Sequence, residues 1–441
     1  MITKRFPAKA PDAPAETGPA DRERDAKLFM AEVVPSSIPT GVYNNFCNAF
    51  ALKMGASSSQ MGFLAATIEL FSMLTQLVAP RLVGILGGRK RMTVIATVFG
   101  AIPFAALMVV PFLPAGARVW AAIALLGLAF PLALLSDPAW GSWMSDLVPR
   151  HMRGRWMARR GAYQMGIYIV LGLTGALALD RLGDAAKWGF IAAFALALVS
   201  RFVSAAIFAI ARDPRPGLRL SPAPPPWKML RHLTAKTNLS GMNRYLMAMR
   251  FAMPFAGPFF SIYILNDLGL SYTQFVAAGV ISGIAQMTVM PLWGKLADRK
   301  GNYFVLVTGA VFFSLWPTLF ILVQETWYIF AMYVVLGLAE GGWGMAQYNF
   351  VLEHSTDEER SSAVALYRVI PAVGAMLGAL VAATIALHMP QIFAYQIMTM
   401  FVLSTVLRSA ATIALVPRFR PGKASPGPEL ERQSSGESPG Q

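Results

Sequence analysis

Apolar runs long enough to cross a bilayer recur along the chain, each closed by a short polar break. They cover 29–53, 61–83, 92–113, 118–146, 160–180, 186–211, 245–266, 273–297, 303–323, 327–352, 363–387 and 391–416. A helix crosses the hydrocarbon layer, about 30 Å thick, with about 20 residues. Lipid offers no hydrogen-bond partner, so a spanning segment must satisfy its own backbone, and a helix does. A barrel needs shorter, alternating segments, which the pattern lacks. The expectation is an all-α membrane protein with about 12 transmembrane helices. The first run is the most polar, holding Glu32, Asn44, Asn45 and Asn48.

The gaps between runs set the organisation. Residues 1–27 are rich in Pro, Ala and mixed charge, without the apolar core of a signal peptide, and predict a disordered tail. Residues 418–441 predict a second one. A basic stretch at 212–243, with Pro222, Pro224, Pro225 and Pro226, reads as a linker between a bundle at 28–211 and a bundle at 244–417. The two stretches repeat. Gly55, Ser57, Gln60 and Gly87 match Gly269, Ser271, Gln274 and Gly301 at one constant offset; Asp146, Arg153 and Arg201 match Glu353, Arg360 and Arg408 at another. Two related six-helix bundles follow.

Composition agrees: 55% of residues are hydrophobic and 14% charged, against about 25% charged in soluble domains. The net charge of +15 could mean nucleic acid, but the cations are dealt among alternate loops. Loop 2–3 has Arg81, Arg89, Lys90 and Arg91, and loop 4–5 and the linker are as rich, whereas the opposite loops hold only Lys53, Arg118, Arg181 and Lys187. This asymmetry places both termini in the cytoplasm, with no nucleic-acid partner. A bacterial cytoplasmic membrane is the expected location. Cys47 is a lone thiol, and His151, His232, His354 and His388 show no ligand spacing, so neither a metal nor another cofactor is expected. No nucleophile–base pair or phosphate loop points to an enzyme, and no charge rings or filter segments point to a channel.

Gly294-Lys295-Leu296-Ala297-Asp298-Arg299-Lys300-Gly301, between spans eight and nine, resembles the loop signature of the major facilitator superfamily, G-x-L-a-D-r-x-G. The first-half copy, Pro80 to Lys90, keeps the glycine and basic run but has Gly84 in place of the aspartate. Pro149 to Arg155 resembles the family's P-x-x-x-R-G element, with Asp357-Glu358-Glu359-Arg360 as a looser partner. The resemblance covers residues 28–417. It implies a secondary transporter that moves a small solute by rocking two bundles about a central site. A non-transporting assembly or partner-binding protein of the same fold is the alternative. A monomer is expected.

The resemblance gives the loop residues roles as a cytoplasmic gate: Gly294 for close helix approach, Asp298 and Arg299 for charge contacts, Gly301 for a tight turn. Arg153 and Arg360 occupy matching loops. Asp146 is expected to pair across the bundles with Arg368, and Glu353 with Arg159 or Arg160, the pairs forming when the molecule faces outward and breaking when it faces inward; solvated loop charges are the bland alternative.

Charges at membrane depth are costly and default to function. Glu69 shares a helix face with Ser72 and Gln76, Glu340 shares one with Gly344 and Gln347, and Asp137 precedes Pro138. The resemblance puts spans one, four, seven and ten around the cavity, so Asp137 and Glu340 point to substrate or proton coupling, with a structural role between helices as the alternative. Arg250, in span seven, either binds an anionic group or snorkels to the cytoplasm. Arg201 and Arg408 read as structural, and Glu32 as interfacial. Ser37, Gly41, Asn44 and Asn48 form one polar stripe on span one, either cavity wall or interhelical glue. Gln286, Gln347, Tyr163, Gln164 and Trp343 are further lining candidates. Span five lacks the glycine–proline pair of the family's antiporter signature.

Overall fold

The computed structural model describes residues 19–149, 152–218, 226–235, 237–355, 360–386 and 388–419. Ten stretches are long and apolar enough to cross a membrane. One of them, Arg153–Ile210, is two helices, α8 (Arg153–Leu182) and α9 (Ala186–Ile210), joined by a 3-10 turn. The polar first span, α2 (Val33–Lys53), packs on both and brings the passes among the described residues to twelve.

In chain order the first bundle has α1 (Pro19–Ala31), α2, α3 (Ser58–Ile85), α4 (Arg89–Phe99), α5 (Ile102–Leu107), α6 (Ala115–Leu134), α7 (Asp137–Leu147), α8 and α9. After α10 (Pro226–Thr234) the second bundle has α11 (Asn238–Ala252), α12 (Gly257–Ile262), α13 (Tyr272–Lys300), α14 (Asn302–Leu319), α15 (Thr326–Glu353), α16 (Arg360–Ile385) and α17 (Gln396–Leu415). Three passes are broken, α4–α5, α6–α7 and α11–α12, each beside proline.

The repeated residues are the devices that start and stop helices. Ser57 and Ser271 each accept a hydrogen bond from the amide three residues on, and Gln60 and Gln274 return one, closing the same capping box at the start of α3 and α13. Gly87 and Gly301 end those helices at φ of +77° and +82°, a backbone that a Cβ disfavours. Arg201 and Arg408 are both buried in the last helix of their bundle.

Several expectations are corrected. Residues 19–27 are not a free tail: α1 buries Asp25 and sets Phe29 between Trp143 and Phe208, at centroid distances of 4.9 and 5.4 Å. Asp21 pairs with Arg212 at 2.7 Å, tying α1 to the start of the linker. The stretch 212–243 is not a plain linker, because it carries α10 and the capped start of α11. There Arg244 donates to the Leu233 and Ala235 carbonyls, and Asn243 bonds His232, whose burial holds the imidazole below the usual histidine range. Val416–Phe419 is a 3-10 turn that buries Phe419 against Gly241. Residues 1–18, 219–225 and 420–441 lie outside the described residues.

The end of the molecule that carries the basic loops will be called the basic end. At the opposite end one apolar core runs through both bundles, from Phe50 against Phe194 to Phe260 against Phe401. At the basic end the buried cores of the two bundles are separate. Every hydrogen bond between bundles among the described residues lies toward the joined end. Asn48 Nδ2 donates to Ser261 Oγ at 2.9 Å, and Ser59 Oγ to the Ala383 carbonyl at 2.8 Å. Asp180, at the end of α8, accepts from the Tyr272 and Thr273 amides at 2.8 and 2.9 Å, capping α13 from the other bundle.

Gly62 lets α3 touch α16, since a Cβ there would lie 2.7 Å from the Ala383 Cα. Gly84, in the same helix, has nothing within 4 Å. Gly62→Ala is therefore expected to weaken the joined end by about 1–3 kcal/mol through overpacking. A lower thermal-unfolding midpoint in detergent, with Gly84→Ala unchanged as control, is the check.

Candidate functional site: a charged cavity between the bundles

The site begins with a break in the seventh pass. Pro254 and Pro258 lack amide hydrogens, so the backbone leaves the α-helical ladder at Met253–Phe255 and resumes at Gly257. α17 reaches two carbonyls at the break: Ser404 Oγ donates to Ala252 O at 2.8 Å, and Arg408 Nη2 donates at 3.3 Å to Met253 O, which also accepts from the Ala256 amide. Arg408 Nη1 also donates to Phe313 O at 3.1 Å, and the guanidinium lies over the Phe313 ring. Arg408 is thus structural, as its repeat partner Arg201 was expected to be. Each keeps a buried Nε without a partner among the described residues.

One turn before the break, Arg250 enters a cavity of about 420 Å³. Glu69 of α3 and Glu340 of α15 line the same cavity, so one carboxylate comes from the first bundle and the other from the second. Arg250 does not snorkel to the rim; its guanidinium carbon is 5.9 Å from the centroid of the Trp343 ring. Among the described residues, none of these three charges makes a hydrogen bond or an ion pair. Asn48 and Ser261 supply polar wall toward the joined end, and Phe275, Phe313, Trp316 and Tyr333 supply apolar wall. A second cavity, of about 260 Å³, shares Glu69 and Arg250 and adds Gln76, Gln347, Tyr367 and Arg368 toward the basic end.

Other predicted residues fall elsewhere. Asn44 is exposed and lies outside both cavities; of the α2 stripe only Asn48 reaches them. Gln286 is also outside, its side-chain stem packed where Gly341 leaves room. Gln347 is buried, donates to Trp343 O at 3.0 Å and lines the second cavity. Tyr163 accepts from Arg159 at 2.9 Å, and Gln164 bonds Tyr168. Asp137 is exposed at the α6–α7 break and feels the charge of Arg368 from the other bundle and of Arg201 from its own.

The expected gate pairs are not formed in this structure. Asp146 pairs instead with Arg89 at 2.5 Å and with Arg215; Arg89 is wholly buried and also meets Asp213 at 2.6 Å. Glu353 accepts from Asn302. Arg160 meets Glu32 at 2.7 Å, and Ser204 donates to the same carboxylate at 2.5 Å. Glu32 is 1% exposed and therefore not interfacial. Arg153 donates to Val148 O and Ser145 O within its own loop. A Cβ at Gly294 would meet nothing within 4 Å, so that glycine serves no close approach here. Asp298 and Arg299 are exposed. Arg150, His151, Asp357, Glu358, Glu359 and the Arg360 side chain lie outside the described residues.

The aromatic wall and the role of Asp180 escaped the sequence reading. Only the proline pair in span seven carried a signal, since a break at membrane depth is tolerated where it lines a cavity. Asp180 reads from sequence as one more polar residue at a helix end.

No curated protein sequence matches the chain. Among solved structures it is similar to a mutant of the nucleoside transporter NupG, with TM-score 0.70 and 13% identity over 89% of this chain and 100% of that one. It is similar to a bacterial homologue of the iron transporter ferroportin in an inward-facing state, with TM-score 0.63 and 11% identity over 90% and 99%. An auto-inhibited peptide transporter of the POT family gives TM-score 0.64 and 13% identity over 92% and 99%. At these identities the likeness is one of fold. The sequence profile of the Major Facilitator Superfamily matches residues 33–255 and 237–437, and with two six-helix bundles around a shared cavity the chain belongs to that superfamily.

Proposed function

We propose that the chain is a secondary transporter that carries a small solute across the bacterial cytoplasmic membrane by alternating access, coupled to protons. The observation that carries the reading is the meeting of Glu69, Arg250 and Glu340, from both bundles, in one cavity beside a broken helix. Charges held at that depth without partners are expensive unless a ligand or a proton engages them. The lysine and arginine asymmetry makes the basic end cytoplasmic, with both termini there. On that reading the joined end faces outward, and the separate cores at the basic end support an inward-facing arrangement.

Coupling is assigned to Glu69 and Glu340, which can bind a proton in place of a cationic partner. Asp137 and Arg368 face one another across the basic end and are assigned to its closure. On the outward side Asp180 is the latch, because its carboxylate holds the first turn of a helix in the other bundle.

Two experiments test this. In proteoliposomes with an imposed pH gradient and a screen of solute classes, wild type accumulates one class. Glu69→Gln and Glu340→Gln lose gradient-driven accumulation while keeping exchange of solute across the membrane. Flux of no class at all would favour a non-transporting, partner-binding protein instead. Unchanged coupling in both variants would remove the two carboxylates from the proton step.

The latch predicts that Asp180→Asn shifts the population toward outward-open. In a Cys47→Ala, Ala65→Cys background, a membrane-impermeant maleimide applied from outside should label the cavity faster with Asp180→Asn than without it. An equal labelling rate would show that Asp180 does not hold the outer end shut.

A further inference from the structure

The charges in the cavity also restrict what it can hold, and this step rests on the transport reading above. We infer that the solute is a small zwitterion with an aromatic or otherwise apolar body, its anionic group on Arg250 and its cationic group on Glu69 or Glu340. Three ionisable side chains line the larger cavity without a hydrogen bond or close ion pair among the described residues, one positive and two negative, and the charge of Arg250 reaches both carboxylates. The other arginine there, Arg408, is already committed to the Phe313 and Met253 carbonyls. A purely anionic solute would satisfy Arg250 but bring its charge against two carboxylates. A purely cationic one would compete with half-buried Arg250 for the carboxylates and be repelled by it. A zwitterion meets Arg250 and one carboxylate together, and leaves the other carboxylate free for a proton.

The fit extends to shape and wall chemistry. About 420 Å³ is room for a small organic molecule. Phe275, Phe313, Trp316 and Tyr333 supply apolar wall in the same cavity, suited to a ring or a branched chain. Arginine presents a planar fork that a carboxylate meets with two parallel hydrogen bonds, so the anionic end is expected to be planar.

Purified protein in detergent tests this without requiring transport. The probes are phenylalanine, Phe-Ala and 6-aminohexanoate, which space the two charges differently, together with phenylalanine methyl ester (cation only) and N-acetylphenylalanine (anion only). Thermal-shift and tryptophan-fluorescence titrations should show binding of at least one zwitterion and a loss of at least tenfold in affinity, about 1.4 kcal/mol, for its singly charged counterparts. Arg250→Gln should abolish that binding, and Arg250→Lys should restore part of it. Binding of no zwitterion, tighter binding of either singly charged probe, or a response untouched by Arg250→Gln would overturn the inference. Zwitterion binding without flux in proteoliposomes would sink the transport reading alone, and flux of a singly charged solute would sink the zwitterion alone.

Discussion

A lipid interior supplies no hydrogen-bond partner, and the unusual features of this fold follow from that constraint. Of the three broken passes the seventh carries two prolines at the break, each removing a donor at membrane depth. At the break Ser404 and Arg408, one turn apart on α17, donate to the Ala252 and Met253 carbonyls. With those groups satisfied, the irregular segment can border a cavity, and the same turn delivers Arg250 into it. The functional geometry is thus downstream of a backbone repair made by a helix that contributes little else to the site.

The same economy of polar groups shapes the basic end. Arg89 is fully buried, yet its guanidinium is saturated by Asp146, Asp213 and Ser142. Glu32 is held by Arg160 and Ser204. Breaking a buried pair by removing one partner leaves an uncompensated charge and costs about 3–5 kcal/mol. Both clusters therefore tie α1, the linker start and the first bundle into one unit. Among the described residues the second bundle has Glu353 and Asn349 on Asn302 at the matching place and no ion pair, so the duplicated halves share helix boundaries but not these polar contacts.

Much of this was legible in the sequence. Spanning runs follow from apolar length, and the repeat was visible because capping serines and positive-φ glycines sit at fixed places in each half. Glu69, Arg250 and Glu340 were identifiable because a charge amid apolar neighbours has no ordinary excuse. Partner choice was not legible. Asp146 has several arginines within plausible reach, and sequence does not say that Arg89 and Arg215 hold it in the arrangement where its pair with Arg368 is expected to be broken. Helical spacing put Asn44 and Asn48 on one stripe, but which part of the stripe meets the other bundle depends on tilt. The helix α1 was missed because its burial rests on Phe29 and Asp25 finding partners far along the chain, within an otherwise hydrophilic segment.

Of the hydrogen bonds that join the bundles, those from Ser59 and Asp180 end on main-chain atoms: the Ala383 carbonyl and the Tyr272 and Thr273 amides. Main-chain atoms are the same whatever residue is present. Homologues can therefore change the side chains at 272, 273 and 383 over evolution without disturbing these contacts, within steric limits. Correlated substitutions across an alignment, which register pairs of side chains that must change together, would then leave this seam without a signature, although it holds two halves of the molecule together.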